Sequence, residues 1–197
     1  GIIEEKKLDH VPDPILLNKD WSVNFLSKKE TLLMKDLYSW PSSADDEIKY
    51  FSGTALYSKT FTLPEHALAS DLSFDLELGD VQVMAEVIVN DIPFGVLWKA
   101  PYTVKIDSAL KQGTNTIKLK VTNLWVNRLI GDEQLPPDVI YTEDRLKQFP
   151  KWLNRINERP TSRVSFYSWK HWYKNDLLRP SGLLGPVKIR IYKKIKL

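Results

Sequence analysis

A short segment in the middle of the chain has the side-chain types of a carbohydrate site. It begins where an alternating apolar row (117–121) continues into polar and aromatic residues. An indole face can cover the C–H surface of a sugar, while amides, carboxylates and guanidinium groups hydrogen-bond its hydroxyls. A polar residue in a core position must reach the rim or be hydrogen-bonded inside, so we expect the strand to leave the core near Asn123. The candidates presented there are Asn123, Trp125, Asn127, Arg128 and Asp132.

A second aromatic cluster occupies residues 166–173, where five of eight residues are aromatic. A further tryptophan lies in an earlier turn. Large aromatic side chains with a polar edge suit surfaces that are partly apolar and partly wet. The additional candidates for sugar contact are Trp98, Trp169, His171, Trp172 and Tyr173.

The same residues have a structural interpretation of about equal weight. The aromatic cluster could attach a cap to the sheets, with Arg128 and Asp132 as an internal ion pair. Arg128 and Asp132 are four residues apart, which suits one face of a helical turn. The sequence leaves both interpretations open.

Catalysis by this chain is not predicted, and no catalytic residue is assigned. A glycosidase needs two carboxylates about 5–9.5 Å apart across a cleft. Asp132 and Glu133 are adjacent, and adjacent side chains on a strand point apart. No spacing singles out Asp138, Glu143 or Asp144.

No metal or cofactor is predicted either. The histidines (His10, His66 and His171) are too scattered for a metal triad, and no nucleophile motif such as GxSxG occurs. The absence of cysteine excludes disulfides, thiolate catalysis and zinc–thiolate sites. A structural calcium ion bound by Asp71 or Asp80 is left open.

The elements that position the candidates are short strands with a period of two. Apolar residues alternate with polar ones over 72–78, 83–89, 102–106, 117–121 and 187–191, and less regularly over 21–25 and 54–63. Turn signals separate these rows, such as Asn90-Asp91. One-sided alternation in many strands indicates antiparallel sheets packed face to face. We therefore predict an all-β sandwich of the jelly-roll type.

The segment 123–186 breaks this rhythm and is predicted to form an ordered cap. It holds four of the seven tryptophans, which bury large areas and fix a loop. Its helix-forming residues predict one helix from about Glu143 to Ile156, interrupted at Pro150. We expect a lead segment (1–19), one sandwich domain (20–192) that includes the cap, and a tail (193–197).

Composition excludes two classes of partner. No apolar run reaches the roughly 20 residues of a membrane helix, and a net charge of +3 is too small to indicate nucleic acid. The lysines on the strands are expected to solvate the outer sheet face, because no aromatic residues interleave with them. These are Lys118, Lys120, Lys188, Lys193, Lys194 and Lys196.

Several motifs in order resemble the sugar-binding-type sandwich of glycoside hydrolases. Residues 50–61 resemble its YxGxxxYxxxF motif, and residues 87–107 its vxvNGxxxGxxxxPyxxDI stretch, with Asp91 where the family usually has glycine. Residues 110–115 match LkxGxN, 121–123 match VxN, and 181–187 resemble SGixGxV. Residues 122–132 give a more specific resemblance, to the terminal sandwich of family 106 α-L-rhamnosidases, with family 2 glycosidases as more distant relatives.

The resemblance implies a galactose-binding-like module that accompanies a catalytic barrel. In the resembled enzymes the catalytic carboxylates lie on that separate barrel. The implied function is a non-catalytic carbohydrate-binding or accessory module. The alternatives are a structural interdomain module that binds no free sugar, and a self-contained glycosidase. An extracytoplasmic location is implied by the resemblance alone. The first residue, Gly1, suggests a processed chain whose export signal has been removed.

Three motifs have scaffold roles that follow from their chemistry. Asn90-Asp91 fits a tight hairpin whose residues need positive φ. Asn115 precedes a strand, where its side chain can satisfy loop backbone groups. Gly182 and Gly185 allow close backbone approach before the last strand.

Overall fold

The computed structural model describes residues 12–26, 31–63, 67–154 and 157–194. These residues include two short α-helices, α1 (Asp46–Lys49) and α2 (Val126–Asp132). None of the helices in these ranges is long and apolar enough to cross a membrane. The strands in chain order are β1 (Ile15–Leu16), β2 (Lys19–Phe25), β3 (Thr31–Asp36), β4 (Thr54–Leu63), β5 (Leu72–Glu77), β6 (Asp80–Gln82), β7 (Met84–Val89), β8 (Ile92–Leu97), β9 (Thr103–Lys105), β10 (Gly113–Thr122), β11 (Tyr141–Thr142), β12 (Arg145–Leu146), β13 (Gly182–Gly185) and β14 (Lys188–Lys193).

The described residues form two compact units. The first comprises the chain up to residue 38, 54–122 and the chain from 182 onward. It contains a six-stranded sheet in the order β3-β2-β4-β10-β7-β8, a four-stranded sheet in the order β1-β14-β5-β9, and a small β13-β6 pair. All the strand pairs are antiparallel, which confirms the predicted all-β sandwich.

The alternating rows found in the sequence form the core of the first unit. On β10, Ile117, Leu119 and Val121 are fully buried. Their neighbours on β4 and β7 follow the same phase, because register places Val121 opposite Ala55 and Ala85. Burying each such aliphatic side chain contributes about 1.5–3 kcal/mol to folding. The rows on β5 and β14 supply the other sheet.

The lysines of the strands lie among carboxylates on the outer faces. Lys118 lies 2.8 Å from Asp91, and Lys120 lies 3.0 Å from Glu86. Both pairs are exposed enough to add little stability. The expected solvated face is therefore present at these positions, and Lys196 lies outside the described residues.

The predicted hairpin and loop-closing roles are confirmed. Asn90 and Asp91 have φ of 48° and 64° in the turn between β7 and β8. The Asn115 Nδ2 donates to the Lys111 carbonyl at 2.7 Å, and its Oδ1 accepts from the Lys111 amide at 2.9 Å. Asn115 thus closes the loop that leads into β10.

Two glycines allow the backbone to cross closely beside β13. Gly79 has a φ of +67°, and a Cβ built on it would lie 2.3 Å from the carbonyl carbon of Gly185. Gly185 itself has a φ of +72°. The close approach predicted for Gly185 is confirmed, and its partner is Gly79.

The second unit consists of 39–53 together with 123–181. It therefore contains an earlier stretch of chain that the predicted cap (123–186) lacked: residues 39–53, which form α1 and a 3₁₀ turn at Trp40–Ser42. Residues 182–185 belong instead to β13 of the first unit, where they pair with β6.

The helix predicted from Glu143 to Ile156 is wrong. Glu143 and Asp144 have φ of 50° and 61°, so they form a two-residue hairpin turn between β11 and β12. Helix propensity differs by only tenths of a kcal/mol between ordinary residues, and strand pairing outweighs it here. A 3₁₀ turn at Lys151–Asn154 follows Pro150, and Ile156 lies outside the described residues.

Candidate functional site

Two of the predicted sugar ligands hold the backbone of the second unit. The Asn123 side chain donates to the Phe51 carbonyl at 2.8 Å and to the Ser181 hydroxyl at 3.2 Å, and accepts from the Gly53 amide at 3.0 Å. Asn127 does the same with Arg179: its Nδ2 donates to the carbonyl and its Oδ1 accepts from the amide, both at 2.7 Å. Both amides are buried and occupied by the chain itself.

Arg128 and Asp132 form the internal ion pair that the sequence left open. They lie on successive turns of α2, with Arg128 Nη2 2.9 Å from Asp132 Oδ1. The other carboxylate oxygen accepts from the amides of Val164 and Ser165 and from the Ser165 hydroxyl. Asp132 is 1% exposed, so it organises the chain around 164–165 and does not face solvent.

Glu133, which the sequence left unassigned, is the centre of a buried ionic network. Its Oε1 accepts from Arg163 Nη1 at 2.8 Å and from the Tyr167 hydroxyl, and its Oε2 accepts from Lys170 Nζ at 2.6 Å. Burial raises the pKa of Glu133, but these hydrogen bonds outweigh it and the pKa lies below the ordinary value of 4.5. Burial and the bond to Glu133 raise the pKa of the Tyr167 hydroxyl, and burial raises that of Tyr141 to about 12.

A second buried carboxylate, Asp138, repeats this arrangement. Its Oδ2 accepts from Arg159 and, at 2.8 Å, from the Thr161 hydroxyl. Burial raises the pKa of Asp138, but the bonds from Arg159 and Thr161 bring it below its ordinary value of 3.8. The second unit is therefore held by carboxylates that must stay ionised.

Acidification should therefore destabilise the second unit. A carboxyl whose pKa is lower in the folded than in the unfolded chain contributes stability that is complete above its unfolded pKa. That stability is lost as the pH falls below 4.5 for Glu133 and below 3.8 for Asp138, through their folded pKa values. Urea midpoints measured from about pH 6 to about pH 3 should fall steeply in this window. Midpoints that stay constant there would contradict the network's role.

The exposed aromatic candidates line two open cavities within the second unit. One cavity, of about 260 Å³, is lined by Arg145, Leu146, Phe149, Ser168 and Trp169; we call it the Trp169 cavity. The other, of about 380 Å³, is lined by Trp125, Leu129, Val164, Ser165, Phe166 and Tyr167; we call it the Trp125 cavity. Trp169 is 54% exposed and Trp125 is 55% exposed. Both indoles are therefore partly open to solvent.

A small sheet positions the Trp169 cavity. β12 pairs with β11 on one side, and Arg145 forms an antiparallel bridge with Trp169 on the other. The Leu146 amide donates to the Ser168 carbonyl at 2.8 Å, and the Lys170 amide to the Asp144 carbonyl at 2.7 Å. These bonds flank the bridge, so Arg145 and Trp169 form a non-hydrogen-bonded pair, the type whose side chains lie closest together.

The remaining aromatic candidates do not line the Trp169 cavity. The His171 ring lies against Trp169 with centroids 4.9 Å apart, so the structure brings these two together. Trp172 is half-buried beneath the Arg179 guanidinium, and Tyr173 lies beneath Lys170 Nζ. Trp98 belongs to the first unit, where it is 66% exposed with Lys99 over its ring.

Sequence reasoning missed four residues of the Trp169 cavity: Arg145, Leu146, Phe149 and Ser168. The first three lie within the helix wrongly predicted over 143–156, which excluded the turn that places Arg145 opposite Trp169. A usable signal was the pair Glu143-Asp144 between two short polar-apolar alternations, although it lacks the Asn or Gly typical of such turns. Within the described ranges no three His, Asp or Glu side chains are grouped to hold a metal ion.

Comparison with known proteins gives relatives among sugar-cleaving enzymes. The "Putative beta-glucuronidase" of Formosa agariphila is 47% identical over 194 residues, which are 97% of this chain and 17% of that protein. The rhamnosidase of Novosphingobium sp. PP1Y superimposes with a TM-score of 0.72 and 28% identity, covering 97% of this chain and 16% of that one. No protein-family model matches the chain.

A third relative extends the likeness at the level of fold. The beta-D-glucuronidase of Dictyoglomus thermophilum superimposes with a TM-score of 0.61 and 21% identity, covering 95% of this chain and 29% of that one. The chain thus spans less than a third of each of these relatives. The resemblance predicted from the motifs is confirmed: the chain is similar to β-sandwich domains of glycoside hydrolases.

Proposed function

We propose that this domain is a non-catalytic, carbohydrate-binding accessory module of a glycoside hydrolase, and that the sugar lies against Trp169. The observation that carries the proposal is the composition of the Trp169 cavity. A half-exposed indole forms one wall, with a guanidinium and a hydroxyl beside it. An apolar face with a few polar donors is what sugar recognition requires.

The state of the carboxylates supports a non-catalytic role. A glycosidase needs one carboxyl to deliver a proton and a second to attack or activate water, both reaching the bond from opposite sides. Asp132 and Glu133 are buried and bonded to other parts of the second unit. Neither can approach a glycosidic bond without breaking those bonds.

The relatives support a place within a larger enzyme. The rhamnosidase and the two glucuronidases are each several times longer than this chain. We propose that the module accompanies a catalytic barrel, acts outside the cytoplasm, and binds glycans that contain rhamnose or galactose.

Replacement of Trp169 should weaken sugar binding. We expect rhamnose- or galactose-containing oligosaccharides to release heat on titration into the native chain and to quench tryptophan emission. Trp169→Ala should weaken this binding about tenfold or more, since it removes a stacking face. Trp98→Ala, which also removes a well-exposed indole, is the matched control and should bind like the native chain. Unchanged binding by the Trp169 variant would refute the site.

A structural interdomain module is the second candidate, and one observation favours it. The second unit exposes many large apolar side chains, which often mark surfaces that bind another protein or domain. They include Leu124, Trp125, Ile140, Phe149, Val164 and Leu177. This candidate predicts no heat with any of the oligosaccharides above, so the same titration separates the two functions.

A further inference from the structure

Arg145 lies beside the Trp169 indole. The two residues face each other across the antiparallel bridge, and the Arg145 Cζ lies 5.5 Å from the centroid of the indole ring. An arginine stacked on an indole still has N–H groups at the edge of its plane that can donate. His171 packs against the same indole.

The charge of Arg145 has no carboxylate partner among the described residues, in contrast to four other cations of the second unit. Arg128, Arg159, Arg163 and Lys170 are paired with the buried Asp132, Asp138 and Glu133. The lining of the Trp169 cavity contains no carboxylate. In the adjoining turn, the side chain of Asp144 is engaged by the Tyr173 hydroxyl, while that of Glu143 is exposed.

We propose that the Trp169 cavity selects an acidic sugar. The sugar ring lies against the indole of Trp169, and its carboxylate or sulfate accepts hydrogen bonds from the Arg145 guanidinium. A guanidinium fork matches two oxygens of either anion, and such charge-assisted pairs are about twice as strong as neutral ones. The Ser168 hydroxyl on the cavity wall is available to a sugar hydroxyl. This inference rests on the proposed sugar-binding function and adds the chemical class of the ligand.

The test compares sugars that differ only at the sixth carbon. Methyl galactoside, methyl galacturonide and methyl galactoside 6-sulfate are titrated into the intact chain by calorimetry, with inorganic sulfate as a fourth probe. We expect at least one acidic sugar to bind about tenfold more tightly than the neutral one, and this preference to shrink as salt is added. The carboxylate and sulfate arms identify which anion is preferred.

Two variants assign the preference to one side chain. Arg145→Gln should remove the preference for the acidic sugar, so that this variant binds the acidic and neutral sugars equally. Lys147→Gln removes an exposed charge two residues away, outside the cavity lining, and should keep the preference of the native chain. Three results would overturn the inference. The native chain could bind neutral and acidic sugars equally, the Arg145 variant could keep the preference, or sulfate alone could bind as tightly as the sulfated sugar. If no sugar binds, the proposed function itself fails.

Discussion

Replacing Glu133 with glutamine should lower the free energy of unfolding by about 3–5 kcal/mol, the cost of breaking a buried ion pair from one side. Arg163 is 8% exposed, and in the variant its cation loses the charged partner while the neutral Leu135 and Pro136 carbonyls remain. The Lys170 ammonium and the Tyr167 hydroxyl lose a charged acceptor at the same time. The measurement is urea unfolding followed by circular dichroism and tryptophan emission.

Glu158→Gln is the matched control for this substitution. Glu158 lies in the same unit and is exposed, so its replacement should change the free energy of unfolding by less than about 0.5 kcal/mol. If the two variants unfold at the same urea concentration, Glu133 is not a structural centre. A Glu133 variant that keeps native stability while losing a measured glycosidase activity would instead support the self-contained enzyme.

Trp169 was a candidate from the sequence and Glu133 was not assigned a role, and this difference shows which residues of the candidate site a sequence can reveal. Exposed aromatic residues can be recognised in a sequence by their type and clustering, which is why Trp169 and His171 are both among the candidates; the structure places their rings in contact. For a carboxylate or an amide, residue type alone does not distinguish a side chain that binds a ligand from one that hydrogen-bonds the chain's own backbone. Asn123 and Asn127 therefore resembled ligands in the sequence, whereas the fold uses every donor and acceptor of their amides internally.

The fold itself was predictable where a local period of two accompanies burial on one face. The rows on β5, β7 and β10 follow that rule. β8 does not follow it: this edge strand shows no alternation of buried and exposed residues, and it contains Pro93 and the positive-φ Gly95. The β11–β12 hairpin depends on pairing with residues 168–170, more than 20 positions away, and no local propensity encodes such a contact.

Replacing Gly79 with alanine should prove far more damaging than the same change at Gly95. Both residues have left-handed backbone, with φ of +67° and +85°, so both substitutions carry the same conformational cost of about 1–2 kcal/mol. Only at Gly79 does the new methyl group meet backbone, 2.3 Å from the Gly185 carbonyl carbon and 2.4 Å from its oxygen, whereas nothing lies within 4 Å at Gly95.

The clash at Gly79 therefore adds about 1–3 kcal/mol of overpacking to the shared cost. We expect Gly79→Ala to lower the free energy of unfolding by about 3 kcal/mol or more, or to accumulate as insoluble protein, while Gly95→Ala stays folded with a loss of about 1 kcal/mol. Urea midpoints of the two variants provide the comparison. Because the contact joins the start of β6 to the end of β13, equal losses would mean that these strands do not approach as closely as their two glycines permit.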